Sequence, residues 1–222
     1  NATGYFGQQS IGIGNDSILI KLFQNSTEGF FQLIDPKVRF TVENSFGFPL
    51  EINLANLQSI NVNTGANLPL TGYPNPLAIP SPSSMGLSTT TVLELNSSNT
   101  TNITDIVTPT PKYLYFEASG TSNPLGNVTT NFITDTSRFT VDAELELPLE
   151  GYAYGFTFSD TIPFTFSETI ENIENIESLM IRINVDNGFP VELLSQVIFL
   201  DSNNVTLFDL MDAPENVIES AL

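Results

Sequence analysis

The chain has 222 residues and a formal charge of −19, from 6 Lys and Arg against 25 Asp and Glu, and it contains no Cys, His or Trp. That balance supplies no basic surface to neutralise phosphates, so it argues against nucleic acid and against anionic membrane surfaces as partners. Without His or Cys there is no Ser-His-Asp triad, no thiolate nucleophile, no zinc or haem site of the usual kind and no disulfide framework. Only carboxylate, hydroxyl and amide chemistry remains, and no residue stands out as catalytic, cofactor-binding or metal-binding.

A 41% hydrophobic fraction with 17 Phe is ample for a packed core. The chain also has 23 Asn and 24 Thr but only 14% charged residues, a composition of turn and strand formers rather than helix formers. Eight N-x-S/T sequons begin at Asn1, Asn15, Asn25, Asn96, Asn99, Asn102, Asn127 and Asn204, which are glycosylation acceptors only in a eukaryotic source. No run reaches the roughly 18 apolar residues of a membrane-spanning helix. The chain opens on Asn-Ala-Thr-Gly, as expected of a trimmed or processed region of a longer exported protein.

In chain order, period-2 alternation predicts strands over 17–23, 37–44, 49–57, 89–95, 113–118, 139–149, 151–159, 180–185, 191–200 and 205–210. Gly7, Gly12 and Gly14 flank the first of these and are followed by no phosphate-loop Lys. Between 72 and 86, Pro74, Pro76, Pro80 and Pro82 mark an irregular connection or an edge. The Asn/Ser/Thr tract 96–104 reads as an exposed loop. On the 139–149 strand Phe139, Val141, Ala143, Leu145, Leu147 and Leu149 share one face, and Thr140, Asp142, Glu144 and Glu146 share the other. Carboxylates two apart on a strand lie roughly 6–7 Å apart, but without a concave aromatic site they read as a solvated face rather than a glycosidase pair. Ile170, Ile173, Ile176 and Leu179, behind a capping Ser167, predict at most one short helix near 168–178. Asp201-Ser202-Asn203-Asn204 offers oxygens to calcium, with Asp209, Asp212 and Glu215 as distant additions. A hairpin turn explains it better.

An internal repeat is the most informative pattern. Arg39-Phe40-Thr41-Val42-Glu43-Asn44 with Gly47-Phe48-Pro49-Leu50-Glu51 matches Arg182-Ile183-Asn184-Val185-Asp186-Asn187 with Gly188-Phe189-Pro190-Val191-Glu192. Each copy reads as strand, turn, strand, with Asn and Gly supplying positive φ, Pro ending the pairing and Phe burying the corner. Acidity is uneven: residues 1–111 hold 7 acidic and 3 basic residues, and residues 112–222 hold 18 and 3.

The order 37–44, the Gly47-Phe48-Pro49 corner, 52–63, Ile79-Pro80 and the Thr-rich strand from Thr89 resembles the water-stress and late-embryogenesis-abundant type 2 β-sandwich. The resemblance covers roughly residues 15–120, with Gly-Phe-Pro after Asn44 where that family usually has Asn-Pro. Glu146-Leu147-Pro148-Leu149-Glu150-Gly151 followed by Asn187-Gly188-Phe189-Pro190 is similar to uncharacterised Gram-negative outer-membrane lipoproteins. That likeness implies a surface or periplasmic location, with any signal and lipid anchor outside this sequence.

The resulting expectation is an all-β chain of tandem antiparallel β-sandwich units, immunoglobulin-like or late-embryogenesis-abundant-like, spanning 1–122 and 123–222. The long strand at Phe139 could belong to either unit, and residues 71–147 could complete a sandwich shared by both repeat copies. The expected function is a non-catalytic extracytoplasmic module that binds a protein or glycan partner or acts as a spacer. The alternative is an apolar-ligand carrier, which requires a continuous tunnel of several hundred Å³ between the β layers.

Overall fold

A computed structural model describes residues 1–61, 63–148, 150–163, 180, 182, 184, 186, 192–211 and 215–218. The protein is all-β and antiparallel, and its contacts divide it into Asn1–Ile162 and Pro163–Leu222. The expected boundary at 122/123 therefore falls inside the first unit. The cause is strand pairing: the 139–146 strand is hydrogen-bonded along its whole length to 37–44, so residues 71–147 complete the first sandwich.

In the first unit, β1 is Ala2–Gly4, β2 Ser10–Leu19, β3 Ser26–Leu33, β4 Lys37–Asn44, β5 Leu50–Ile60 and β6 Asn67–Pro69. They are followed by β7 Leu77–Ile79, β8 Thr89–Leu95, β9 Tyr113–Ser122, β10 Asn131–Ile133, β11 Phe139–Glu146 and β12 Gly151–Phe158. One sheet runs β2-β9-β5-β6 with β7 also on β5, and the other runs β11-β4-β8. Two smaller pairs, β1-β10 and β3-β12, flank them.

The two larger sheets bury alternate residues against each other. Val38, Phe40 and Val42 of β4 and Leu93 and Leu95 of β8 face Leu50, Ile52 and Leu54 of β5 and Leu114, Phe116 and Ala118 of β9. Phe40 and Phe116, one from each layer, meet edge to face with ring centroids 5.2 Å apart. The polar tract ends in a 3-10 turn at Ile103–Asp105 that buries Ile103, Ile106 and Val107 completely.

Differences from the alternation pattern have local causes. The expected 17–23 strand is instead the end of β2 plus a 3-10 turn at Lys21–Phe23, because bending there buries both Ile20 and Phe23. Gly12 and Gly14 lie inside β2 rather than beside it. β3 escapes the pattern because its register with β12 shifts twice and adjacent Phe30 and Phe31 point to opposite faces. The 191–200 run is two short strands, Leu193–Ser195 and Ile198–Leu200.

The Asn44 corner is built differently from the positive-φ turn the sequence suggests. Asn44 is fully buried: its Nδ2 donates to the carbonyls of Phe48 and Pro80, both at 3.1 Å, and its Oδ1 accepts from Phe46 N–H at 2.9 Å. Gly47 serves close approach, since a Cβ there would overlap the Phe132 ring while its N–H donates to Phe132 O at 2.8 Å. The same use of amides recurs at Asn123 and Asn131, buried side chains that bond each other reciprocally at 2.9 and 3.0 Å. These buried Asn side chains also tie backbone groups, Asn123 Nδ2 donating to Gly7 O at 2.8 Å and Asn131 Oδ1 accepting from Phe6 N–H at 3.3 Å.

In the second unit, β13 (Leu193–Ser195) pairs with β16 (Glu215–Ile218), and β14 (Ile198–Leu200) pairs with β15 (Thr206–Asp209). The expected helix at 168–178 and the second corner at 187–190 lie outside the described residues, as does most of the second repeat copy.

Candidate functional site

The outer face of the five-stranded sheet is built from small and polar side chains. Across β2, β9 and β5 the rungs are Gly12, Ser119 and Asn53, then Asn15, Glu117 and Ala55, then Ser17, Tyr115 and Gln58. Both neighbours of β9 are bulged here: β2 between Gly12 and Gly14, and β5 between Ala55 and Gln58. Gly14 (φ 100°) and Asn56 (φ 51°) take the left-handed backbone that these irregularities require. Beside the two bulges lies an open trough of about 380 Å³ lined by Gly12, Gly14, Asn15, Ala55, Glu117 and Ser119.

Glu117 stands in this trough with both carboxylate oxygens engaged. Tyr115 Oη donates to Oε1 at 2.7 Å, Asn56 Nδ2 donates to Oε2 at 2.7 Å, and Asn15 Nδ2 donates to Tyr115 Oη at 3.1 Å. The carboxylate beside it holds the Tyr115 phenol above its ordinary range, so Tyr115 stays a donor. From the Pro-rich connection, Asn75 accepts from Leu54 N–H and donates to Leu54 O and Asn53 Oδ1 at 2.9–3.0 Å, pinning β5 next to its bulge. No Lys or Arg occurs in the five strands of this sheet.

A second recess, about 160 Å³, lies between the layers against Ile13, Phe46, Phe48, Ile52 and Phe139, with only apolar surface. Elsewhere β12 presents Tyr152 and Tyr154 to solvent, 70% and 66% exposed, with Phe30 stacked on Tyr154 at 4.9 Å.

The carboxylates singled out in the sequence fall on the other sheet. Glu144 and Glu146 of β11 face Arg39 and Lys37 of β4, with Arg39 bonded to Glu144 at 2.8 Å and to Glu94 of β8 at 2.9 Å. Lys37 lies 3.7 Å from Glu146 and 3.5 Å from Asp35. Asp142 stands opposite Thr41. The face is an ion-pair ladder laid over three strands, and the guanidinium of Arg39 holds Glu94 below the usual carboxylate range. Asp201 closes the β14-β15 hairpin, its Oδ1 accepting from Asn203 and Val205 N–H at 2.8 Å. Among the described residues no three acidic groups converge in a metal-holding geometry, and no helix is long and apolar enough to cross a membrane.

The trough was not visible as a site in the sequence. Glu117 looks like one polar residue in an alternating strand, and the doublet of bulges that exposes it depends on cross-strand register. The nearest signal in the sequence is the pair Gly12 and Gly14 beside the expected 17–23 strand, glycines that mark irregular pairing once β2 extends over them. Compared with known proteins, the chain has no significant match to any protein-family model, curated protein or solved structure.

Proposed function

We propose that this chain is a non-catalytic extracytoplasmic β module that docks a protein or glycan partner at the cell surface or in the periplasm. The observation that carries the reading is the double-bulged trough on the outer face of the large sheet. There Glu117 is held by Tyr115 and Asn56 over a floor of small residues, an arrangement of oriented donors and acceptors without a nucleophile and base in contact. The absence of His and Cys from the sequence supports binding over catalysis. The resemblance to outer-membrane lipoproteins supports the location. The carrier reading stays second, because a recess of about 160 Å³ holds something the size of a benzene ring rather than a lipid chain.

The test has two arms. Protease shaving and antibody labelling of intact cells of the source organism should find the protein outside the cytoplasm. The labelled chain should bind isolated cell envelopes saturably. A cytoplasmic location, or envelope binding that rises linearly without saturation, refutes the reading.

A further inference from the structure

We infer that the double-bulged trough is a saccharide-binding site for uncharged, hydroxyl-rich glycan residues. The inference rests on the proposed role as a binding module and gives that role a ligand class.

The chemistry of the trough selects by elimination and by fit. Phosphorylated, sulfated and carboxylated ligands need a cation or a helix N-terminus, and the sheet supplies neither: its five strands carry no Lys or Arg. Apolar ligands need enclosure by greasy walls, whereas this trough lies open to solvent and sets the polar groups of Glu117, Asn15 and Ser119 beside its C–H surface. A sugar ring presents hydroxyls around its rim and C–H groups on its faces. The floor of Gly12, Gly14 and Ala55 is shallow, uncharged and rich in C–H groups, so a ring face can lie on it. Around that floor stand a carboxylate, amides and a hydroxyl, which accept from and donate to vicinal hydroxyls.

Pre-organisation strengthens the case. Tyr115 and Asn56 each occupy one oxygen of Glu117, fixing the plane of the carboxylate and leaving its remaining lone pairs for ligand hydroxyls. Asn56 does this from a left-handed backbone conformation. Three strands about 4.8 Å apart give a width near 10 Å. Together with a volume of about 380 Å³, that accommodates a short stretch of a polysaccharide rather than a buried monosaccharide.

Gly12 provides the decisive variant. A Cβ built there meets nothing within 4 Å, and its φ lies outside the left-handed region. Gly12→Leu thus places a side chain in the trough without disturbing the strand. The experiment titrates short uncharged oligosaccharides of gluco, galacto, manno and xylo configuration into the full chain, with amino- and uronic-acid oligosaccharides as charged comparators. Wild type is expected to bind at least one uncharged oligosaccharide with a Kd on the order of 0.1–1 mM. Gly12→Leu, with an unchanged melting temperature, should lose at least tenfold in affinity, and Glu117→Gln should do the same. Absence of binding to every uncharged oligosaccharide, binding only to charged ones, or unweakened binding by Gly12→Leu overturns the inference. Saturable envelope binding that persists in Gly12→Leu sinks the saccharide site while leaving the binding-module reading in place.

Discussion

Replacing Asn44 by alanine removes three hydrogen bonds at a position with no solvent exposure: two donated to Phe48 O and Pro80 O, and one accepted from Phe46 N–H. A buried hydrogen bond contributes about 1 kcal/mol net, and each group left unpaired adds part of a desolvation penalty of about 1–3 kcal/mol. The expected loss for Asn44→Ala is about 3–4 kcal/mol, large against a total stability of about 5–15 kcal/mol. Asn44→Asp is the sharper probe. It keeps the bond from Phe46 but aims a carboxylate oxygen at two carbonyl oxygens. At pH 7 this variant should be less stable than Asn44→Ala, although it is closer to Asn in shape. Burial and the opposing carbonyls raise the carboxyl pKa in the folded state above its unfolded value, so the folded form takes up its proton first. Asn44→Asp should therefore regain stability relative to wild type as pH falls from 7 towards 4. Urea unfolding of the full chain monitored by circular dichroism, with hydrogen exchange at Phe46 N–H, measures these changes. A loss under about 1 kcal/mol for Asn44→Ala, or an Asp variant as stable as the Ala variant at neutral pH, would falsify the view of Asn44 as the tie of this corner.

Among the described residues the hydroxyl of Ser59 is buried without a partner, so Ser59→Ala should stabilise the chain by about 1 kcal/mol in urea titrations, and a destabilisation refutes the view of this hydroxyl as unsatisfied. Glu94 titrates lower in the folded chain because Arg39 bonds it. Its contribution is present above the unfolded carboxylate pKa and fades as pH falls through the folded value. Melting curves of wild type and Glu94→Gln should accordingly converge as pH drops from 7 to 3. A gap that stays constant with pH contradicts the assignment.

Alternation made β4 and β8 readable to the residue, and the inner face of β11 as well, because a strand buried on one side repeats every two residues. What escaped notice depended on partners far away in sequence. Glu144 and Glu146 look like a solvated stripe until Lys37 and Arg39 are placed opposite them by the β4-β11 register. Short strands such as β1, β6, β7 and β10 have three residues each, too few for a period to show. Turn propensity places Asn44 at a corner and favours left-handed backbone there, whereas the carbonyls of Phe48 and Pro80 require a buried donor. The trough required the most distant information, since a bulge exists only relative to the strand it fails to match.

The ion-pair ladder also bears on how copies of the chain meet each other. Among the described residues β8 and β11 each leave one side unpaired, an edge on which a further strand could add. Each edge strand carries acid and no base, Glu94 on one and Asp142, Glu144 and Glu146 on the other, while the cations that pair with Glu94, Glu144 and Glu146 sit on the central strand β4. Within one molecule the charges attract across the sheet. Between two molecules approaching edge to edge, acid meets acid first, and the compensating Arg39 and Lys37 are already engaged behind them. One row of side chains thus binds the sheet together and keeps its borders from extending into a neighbour.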